Sequence, residues 1–173
     1  MTAINDEADP DDRTLAALAG EVAELLCERR LMLVTAESCT GGWIAKCCTD
    51  LPGSSHWFER GFVTYTNEAK MEALGVEAAT LQAHGAVSEA TVTEMAAGAL
   101  RQSRAQVSVA VSGIAGPGGG RPDKPVGTVC FGWALAGKRS VSRQLYILGD
   151  REQIRRQAVA EALRGVLDVV RAG

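Results

Sequence analysis

At 173 residues, with 46% hydrophobic and 23% charged side chains, the chain is long enough to bury one substantial core, and a single domain is the natural expectation. A net charge of −3 and the lack of any basic run exclude a nucleic-acid binder driven by phosphate electrostatics. No apolar stretch approaches the roughly 20 residues that span a bilayer, which excludes a transmembrane helix.

Residues 1–12 are acidic, polar and without apolar spacing, so they read as a flexible tail rather than a signal peptide. Residues 13–173 read as one domain, and the expected location is the cytoplasm. Asp12 or Thr14 is placed to cap a first helix with Leu15, Leu18, Val22, Leu25 and Leu26 on its apolar face. A strand over 31–34 follows, then a small polar turn, 35–42, then a helix from 43 to about 50 that is broken by 51–55. Residues 58–65 read as a second strand. Asn67 is expected to cap a short helix over 68–74, stopped by Gly75, and 78–84 reads as another. Ser88 caps a longer helix to about 103.

The β-branched run 107–111 is a buried third strand that leads into a glycine-rich loop, 112–120. Strands over 127–136 and 139–148 form an antiparallel hairpin, and a last helix starts at Gly149-Asp150. Helices alternating with the first three strands predict an α/β fold around a mixed, mainly parallel sheet covered on both faces. Ligands of such sheets collect beyond the carboxyl ends of the parallel strands. Three loops fall there: 35–42, 65–70 and 112–127.

Ser38 is the candidate nucleophile, because a strand–turn–helix geometry aims backbone N–H groups and a hydroxyl at one spot, suited to an anion or an oxyanion. His56 and His84 follow no strand end, so a serine–histidine pair is poorly supported and both read as surface or packing residues. Lys70, directly after the second strand, is the better base, provided burial lowers its pKa from about 10.4 towards neutrality. Tyr65 is placed to pass a proton or to orient Lys70. Cys39 remains an alternative thiol nucleophile. Cys27, Cys39, Cys47, Cys48 and Cys130 otherwise form an odd set without metal spacing and read as reduced thiols. The 112–120 loop has five glycines, lacks the P-loop and dinucleotide patterns, and suits one phosphate or ribose contact.

Four separated motifs carry a resemblance. They are Thr35-Ala36-Glu37-Ser38-Cys39-Thr40-Gly41-Gly42, Tyr65-Thr66-Asn67-Glu68-Ala69-Lys70, Gly85-Ala86-Val87-Ser88 and Ser112-Gly113-Ile114-Ala115-Gly116-Pro117-Gly118-Gly119. Together, and in this order, they closely resemble the CinA C-terminal domain family, whose characterised members are nicotinamide-nucleotide amidohydrolases (NMN deamidases). The resemblance implies a three-layer α/β/α sandwich that hydrolyses the carboxamide of nicotinamide mononucleotide to nicotinate mononucleotide and ammonia. It implies a Ser/Lys mechanism with no metal and no cofactor: Ser38 as nucleophile, Lys70 as general base, Tyr65 assisting. The oxyanion is then expected on N–H groups around Thr40, Gly41 and Gly42. Asn67, Ser112, Gly113, Ala115, Gly116 and Gly118 are the expected substrate contacts, with Arg151 or Arg139 on the 5′-phosphate. The chain looks like the stand-alone form of a domain that many relatives carry behind a second one. A homo-oligomer is expected, and a non-catalytic nucleotide-binding or regulatory module of the same fold is the alternative function.

Overall fold

Aliphatic and β-branched residues dominate the central strands, whose pairing orders the sheet. In the computed structural model, which describes residues 2–4 and 9–173, the strands are Thr2–Ile4 (β1), Leu33–Glu37 (β2), Phe58–Val63 (β3), Val107–Gly113 (β4), Thr128–Leu135 (β5) and Val141–Ile147 (β6). They form one sheet in the order β1-β6-β5-β4-β2-β3. β2 pairs in parallel with both β3 and β4, β1 pairs in parallel with β6, and β5 runs antiparallel to β4 and β6. The sheet is therefore mixed and mainly parallel, as expected from the alternation of helices and strands. All five residues of β2 are buried, as a strand covered on both faces requires.

Among the described residues, six α-helices make the two outer layers. Asp12–Arg29 (α1), Trp43–Thr49 (α2) and Arg151–Ala172 (α6) pack on one face, while Asn67–Leu74 (α3), Ala78–His84 (α4) and Glu89–Arg101 (α5) cover the other. Two cores result. One joins Leu15, Val22, Leu26, Ile44, Val109, Phe131 and Leu163; the other joins Val34, Leu74, Val92, Met95, Ala110 and Cys130. Gly165 of α6 admits the indole of Trp133, since a Cβ there would lie 2.1 Å from the ring. The indole Nε1–H donates to the Ala162 carbonyl at 3.0 Å.

Four local expectations change. The strand expected over 31–34 runs over Leu33–Glu37, so residues 35–37 extend β2 rather than open the turn. Asp11, not Asp12 or Thr14, caps α1, accepting from the Thr14 N–H at 2.8 Å. Thr66, not Asn67, caps α3 by accepting from the Ala69 N–H, because β3 ends at Val63 rather than at 65 and the helix starts one residue sooner. Within the stretch read as a flexible tail, Thr2–Ile4 adds an edge strand to β6; residues 1 and 5–8 lie outside the described residues. The Ser88 and Asp150 caps are found as expected, the latter as a capping box with Gln153.

Candidate active site

Strand alternation puts adjacent residues of β2 on opposite faces of the sheet. Leu33 enters the core beneath α1, α2 and α6, and Val34 and Ala36 enter the core beneath α5. Continuing that alternation, Glu37 points to α2 and Ser38 points to α3. The parallel register then aligns strand ends: Glu37 pairs with Val63 on one side and Val111 on the other. The Ser38 N–H donates to the Val111 carbonyl at 3.0 Å, and the Thr64 N–H donates to the Glu37 carbonyl at 2.8 Å. Ser38 thus sits at the carboxyl end of a central strand, flanked by the exits of β3 and β4.

α3 begins directly after β3 and aims Lys70 inward. Lys70 Nζ lies 3.0 Å from Ser38 Oγ and donates to the Thr64 carbonyl at 2.8 Å. Lys70 is 1% exposed and Ser38 8%. Among the described residues no carboxylate contacts the Lys70 amine, and burial pushes its pKa below the usual lysine range. A neutral amine suits both contacts: one N–H serves the Thr64 carbonyl and the lone pair accepts the Ser38 proton. A hydroxyl and a buried amine 32 residues apart in sequence are thus in hydrogen-bond contact, the arrangement that nucleophilic catalysis would require.

The turn after Ser38 is organised by a residue that the motif reading left without a role. Glu37 is fully buried, and its carboxylate accepts from Thr40 Oγ1 at 2.7 Å and from the N–H groups of Gly42, Ile44 and Ala45 at 3.1, 3.0 and 2.8 Å. The N-terminus of α2, expected to face an anion from outside, is occupied by the chain's own carboxylate. The Gly41 N–H is also engaged, donating to the Ser38 carbonyl at 3.0 Å. Gly41 and Gly42 therefore have no free N–H to offer an oxyanion. Among the described residues of this turn, the N–H groups of Cys39 and Thr40 are the ones without an acceptor.

Arg155 of α6 completes the frame. Its Nε donates to the Cys39 carbonyl at 2.9 Å and its Nη2 to the Thr40 carbonyl at 3.1 Å, with the guanidinium over the Trp43 ring. The sequence reading missed both residues, and two signals could have found them: a lone acid at the end of an apolar strand, and the i,i+4 spacing of Arg155 from Arg151, which puts both on one helix face.

The remaining candidates divide clearly. Tyr65 is 59% exposed, and its hydroxyl accepts from Arg151 Nη2 at 3.0 Å rather than contacting Lys70. Arg151 Nη1 donates to the Gly116 carbonyl at 2.6 Å, so one side chain ties the β3 exit to the glycine loop. Arg139 lies elsewhere. β5 starts beside Gly113 and ends beside Val107, which carries the β5–β6 turn to the opposite pole, where Arg139 and Trp133 line a separate groove. Ser112 and Ala115 are buried, Gly118 and Asn67 are exposed, and Gly116 has φ +80°. Gly113 makes room for the Ser38 turn: a Cβ there would stand 3.1 Å from Cys39 Sγ and 2.9 Å from Val129. Cys39 itself is buried, which pushes its thiol up to about 12 and keeps it protonated. His56 and His84 lie in a 3-10 turn before β3 and at the end of α4, outside the Ser38–Lys70 contact.

Comparison with known proteins follows the same lines. The family model of the CinA C-terminal domain matches residues 15–170. A protein of Escherichia coli strain K12, called nicotinamide-nucleotide amidohydrolase PncC, is 54% identical over 153 residues, covering 88% of this chain and 93% of that one. Its namesake in Enterobacter agglomerans is 50% identical over 156 residues, covering 90% and 95%. The crystal structure of the competence/damage inducible protein CihA from Agrobacterium tumefaciens superposes with a TM-score of 0.88 at 43% identity, covering 94% of this chain and 98% of that one.

Proposed function

This chain belongs to the CinA C-terminal domain family, and from that premise we propose that it is a nicotinamide-nucleotide amidohydrolase. Its substrate is nicotinamide mononucleotide, and the products are nicotinate mononucleotide and ammonia. The observation that carries the chemistry is the 3.0 Å contact between Lys70 Nζ and Ser38 Oγ in a site where burial favours the neutral amine.

Lys70 takes the hydroxyl proton as Ser38 Oγ attacks the carboxamide carbon. The tetrahedral oxyanion forms against the Cys39 and Thr40 N–H groups, each donor contributing on the order of 3 kcal/mol. The Lys70 ammonium then gives its proton to the carboxamide nitrogen as the C–N bond breaks, which releases ammonia; Lys70 next deprotonates water as it attacks the acyl carbon, and the proton returns to Ser38 Oγ as nicotinate mononucleotide leaves. Arg151 is the phosphate ligand of this reading, because it joins the glycine loop to Tyr65 and carries a fixed positive charge. Tyr65 acts through Arg151, closing the substrate side of the cleft. The protein works as a homo-oligomer in the cytoplasm, a reducing compartment that suits its five free cysteines.

Incubation of purified protein with nicotinamide mononucleotide, with ammonia and nicotinate mononucleotide quantified across pH 6–9, tests this directly. Stoichiometric release that disappears in Ser38→Ala is expected. No release from the parent protein at any of these pH values would remove the assignment.

A further inference from the structure

We propose that Glu37 and Arg155 are positioning residues that hold the Ser38 turn in its reactive shape, Glu37 from its N–H side and Arg155 from its carbonyl side. This rests on reading Ser38 as the nucleophile, and goes beyond it by assigning the parts that set the direction of the nucleophile and of the oxyanion donors.

A short turn between a strand and a helix leaves peptide groups on both of its edges without partners. Here the two charged side chains divide them by polarity. Glu37 collects donors: the N–H groups of Gly42, Ile44 and Ala45 and the Thr40 hydroxyl all end on its two oxygens. Arg155 collects acceptors: the carbonyls of Cys39 and Thr40 both end on its guanidinium. The orientation of a peptide plane is fixed once its carbonyl is held. With the Cys39 carbonyl on Arg155 the Thr40 N–H points the opposite way, and it is one of the two N–H groups in the turn left unengaged.

The residue types fit that task. Glutamate is acceptor-only when ionised and offers about four lone-pair sites, matching the four donors that converge on it. Arginine offers a rigid fork of N–H groups, which reaches two successive carbonyls where a lysine would reach one. Glu37 also couples the turn to the sheet by position. It is the last residue of β2, and its carbonyl takes the N–H of Thr64, whose own carbonyl takes Lys70 Nζ. A shift of Glu37 therefore moves the nucleophile, the donors and the base together. Arg155 adds a tie to a distant element, since α6 lies 115 residues along the chain from Thr40.

The test uses Glu37→Gln, Arg155→Gln and the double variant in the full chain, each read three ways. These are kcat and KM on nicotinamide mononucleotide, the rate of Ser38 labelling by a fluorophosphonate followed by intact mass, and the thermal melt. Each single variant should melt cooperatively, lose about 100-fold in kcat and in labelling rate, and change KM by less than about threefold, because sub-ångström misplacement acts on the attack rather than on binding. The double variant should fall little below the worse single one, since both act on one turn. Glu37→Gln should outperform Glu37→Ala, its amide oxygen still being able to accept from Thr40, Gly42 and Ile44.

Variants whose kcat and labelling stay within about threefold of the parent, or whose losses multiply in the double variant, overturn the proposal. Should the Glu37 variants fail to fold, Arg155→Gln decides alone, because Arg155 is half-buried and its two carbonyls can be solvated. A parent protein that labels at Ser38 but releases no ammonia refutes the amidase reading while the labelling comparison still decides this one. A parent that fails to label at Ser38 overturns both.

Discussion

Replacing Lys70 by methionine tests the proposed base in two ways, because the side chain is both the proposed proton acceptor and a buried amine. Methionine has similar length and no charge, so the core beside Leu74 stays filled. Two hydrogen bonds are lost, leaving the Thr64 carbonyl and the Ser38 hydroxyl without that partner at a cost of about 1–3 kcal/mol for each group left unpaired. Against this stands relief of the desolvation that depresses the Lys70 pKa. The diagnostic is the pH dependence of the difference. The unfolded chain holds the lysine proton up to about pH 10.4, whereas the folded protein releases it earlier.

Between those two points the unfolded state binds more protons, so the stability of the parent rises with pH, by at most about 1.4 kcal/mol per unit. Lys70→Met lacks that rise. Buried Cys39, Cys48 and Cys130, whose thiols are pushed upward, act in the opposite sense above about pH 8.5. Cys48 and Cys130 do so in both proteins and cancel in the difference, and a shared Cys39→Ala background removes the thiol that interacts with Lys70. Urea unfolding at half-unit steps from pH 6 to 10 should show the parent gaining on the variant as pH rises, and turnover should fall in the variant by about 100-fold to 10,000-fold. Parallel stability curves, or near-normal turnover in Lys70→Met or Lys70→Arg, would refute a neutral, catalytic Lys70; arginine keeps the charge but cannot accept the proton.

Two further outcomes follow from buried groups. Cys39→Ala should keep turnover within about tenfold while Ser38→Ala loses it, and Cys39 should resist alkylation at pH 7 because its thiol titrates only near 12; the reverse pattern would make the thiol the nucleophile. The hydroxyl of Thr35 is fully buried with no hydrogen-bond partner among the described residues, so Thr35→Val, which keeps the shape and removes the orphan, should raise stability by about 1 kcal/mol in urea unfolding. A loss of stability there would mean that the hydroxyl has a partner in solution.

Sequence by itself determined which residues could do chemistry. The small polar turn at 35–42 announces a strand-to-helix junction, and Lys70 after a strand announces a second group at the same sheet edge. Hydrophobic periodicity also determined the helices, the other five strands and the mixed sheet, because apolar spacing is a local property of each segment, whereas the edge strand Thr2–Ile4 carries no such signal. What tertiary structure decided is how polar groups are shared out. That Glu37 rather than a ligand fills the start of α2, that Gly41 and Gly42 are spent, and that Arg155 holds the turn all depend on packing of segments far apart in the chain. Arg139 and Arg151 are alike in sequence terms, and only the antiparallel course of β5 and β6 sends one to each pole. Hydrogen-bond partners are exclusive, so a donor that looks available in a motif is available only after its neighbours have been placed.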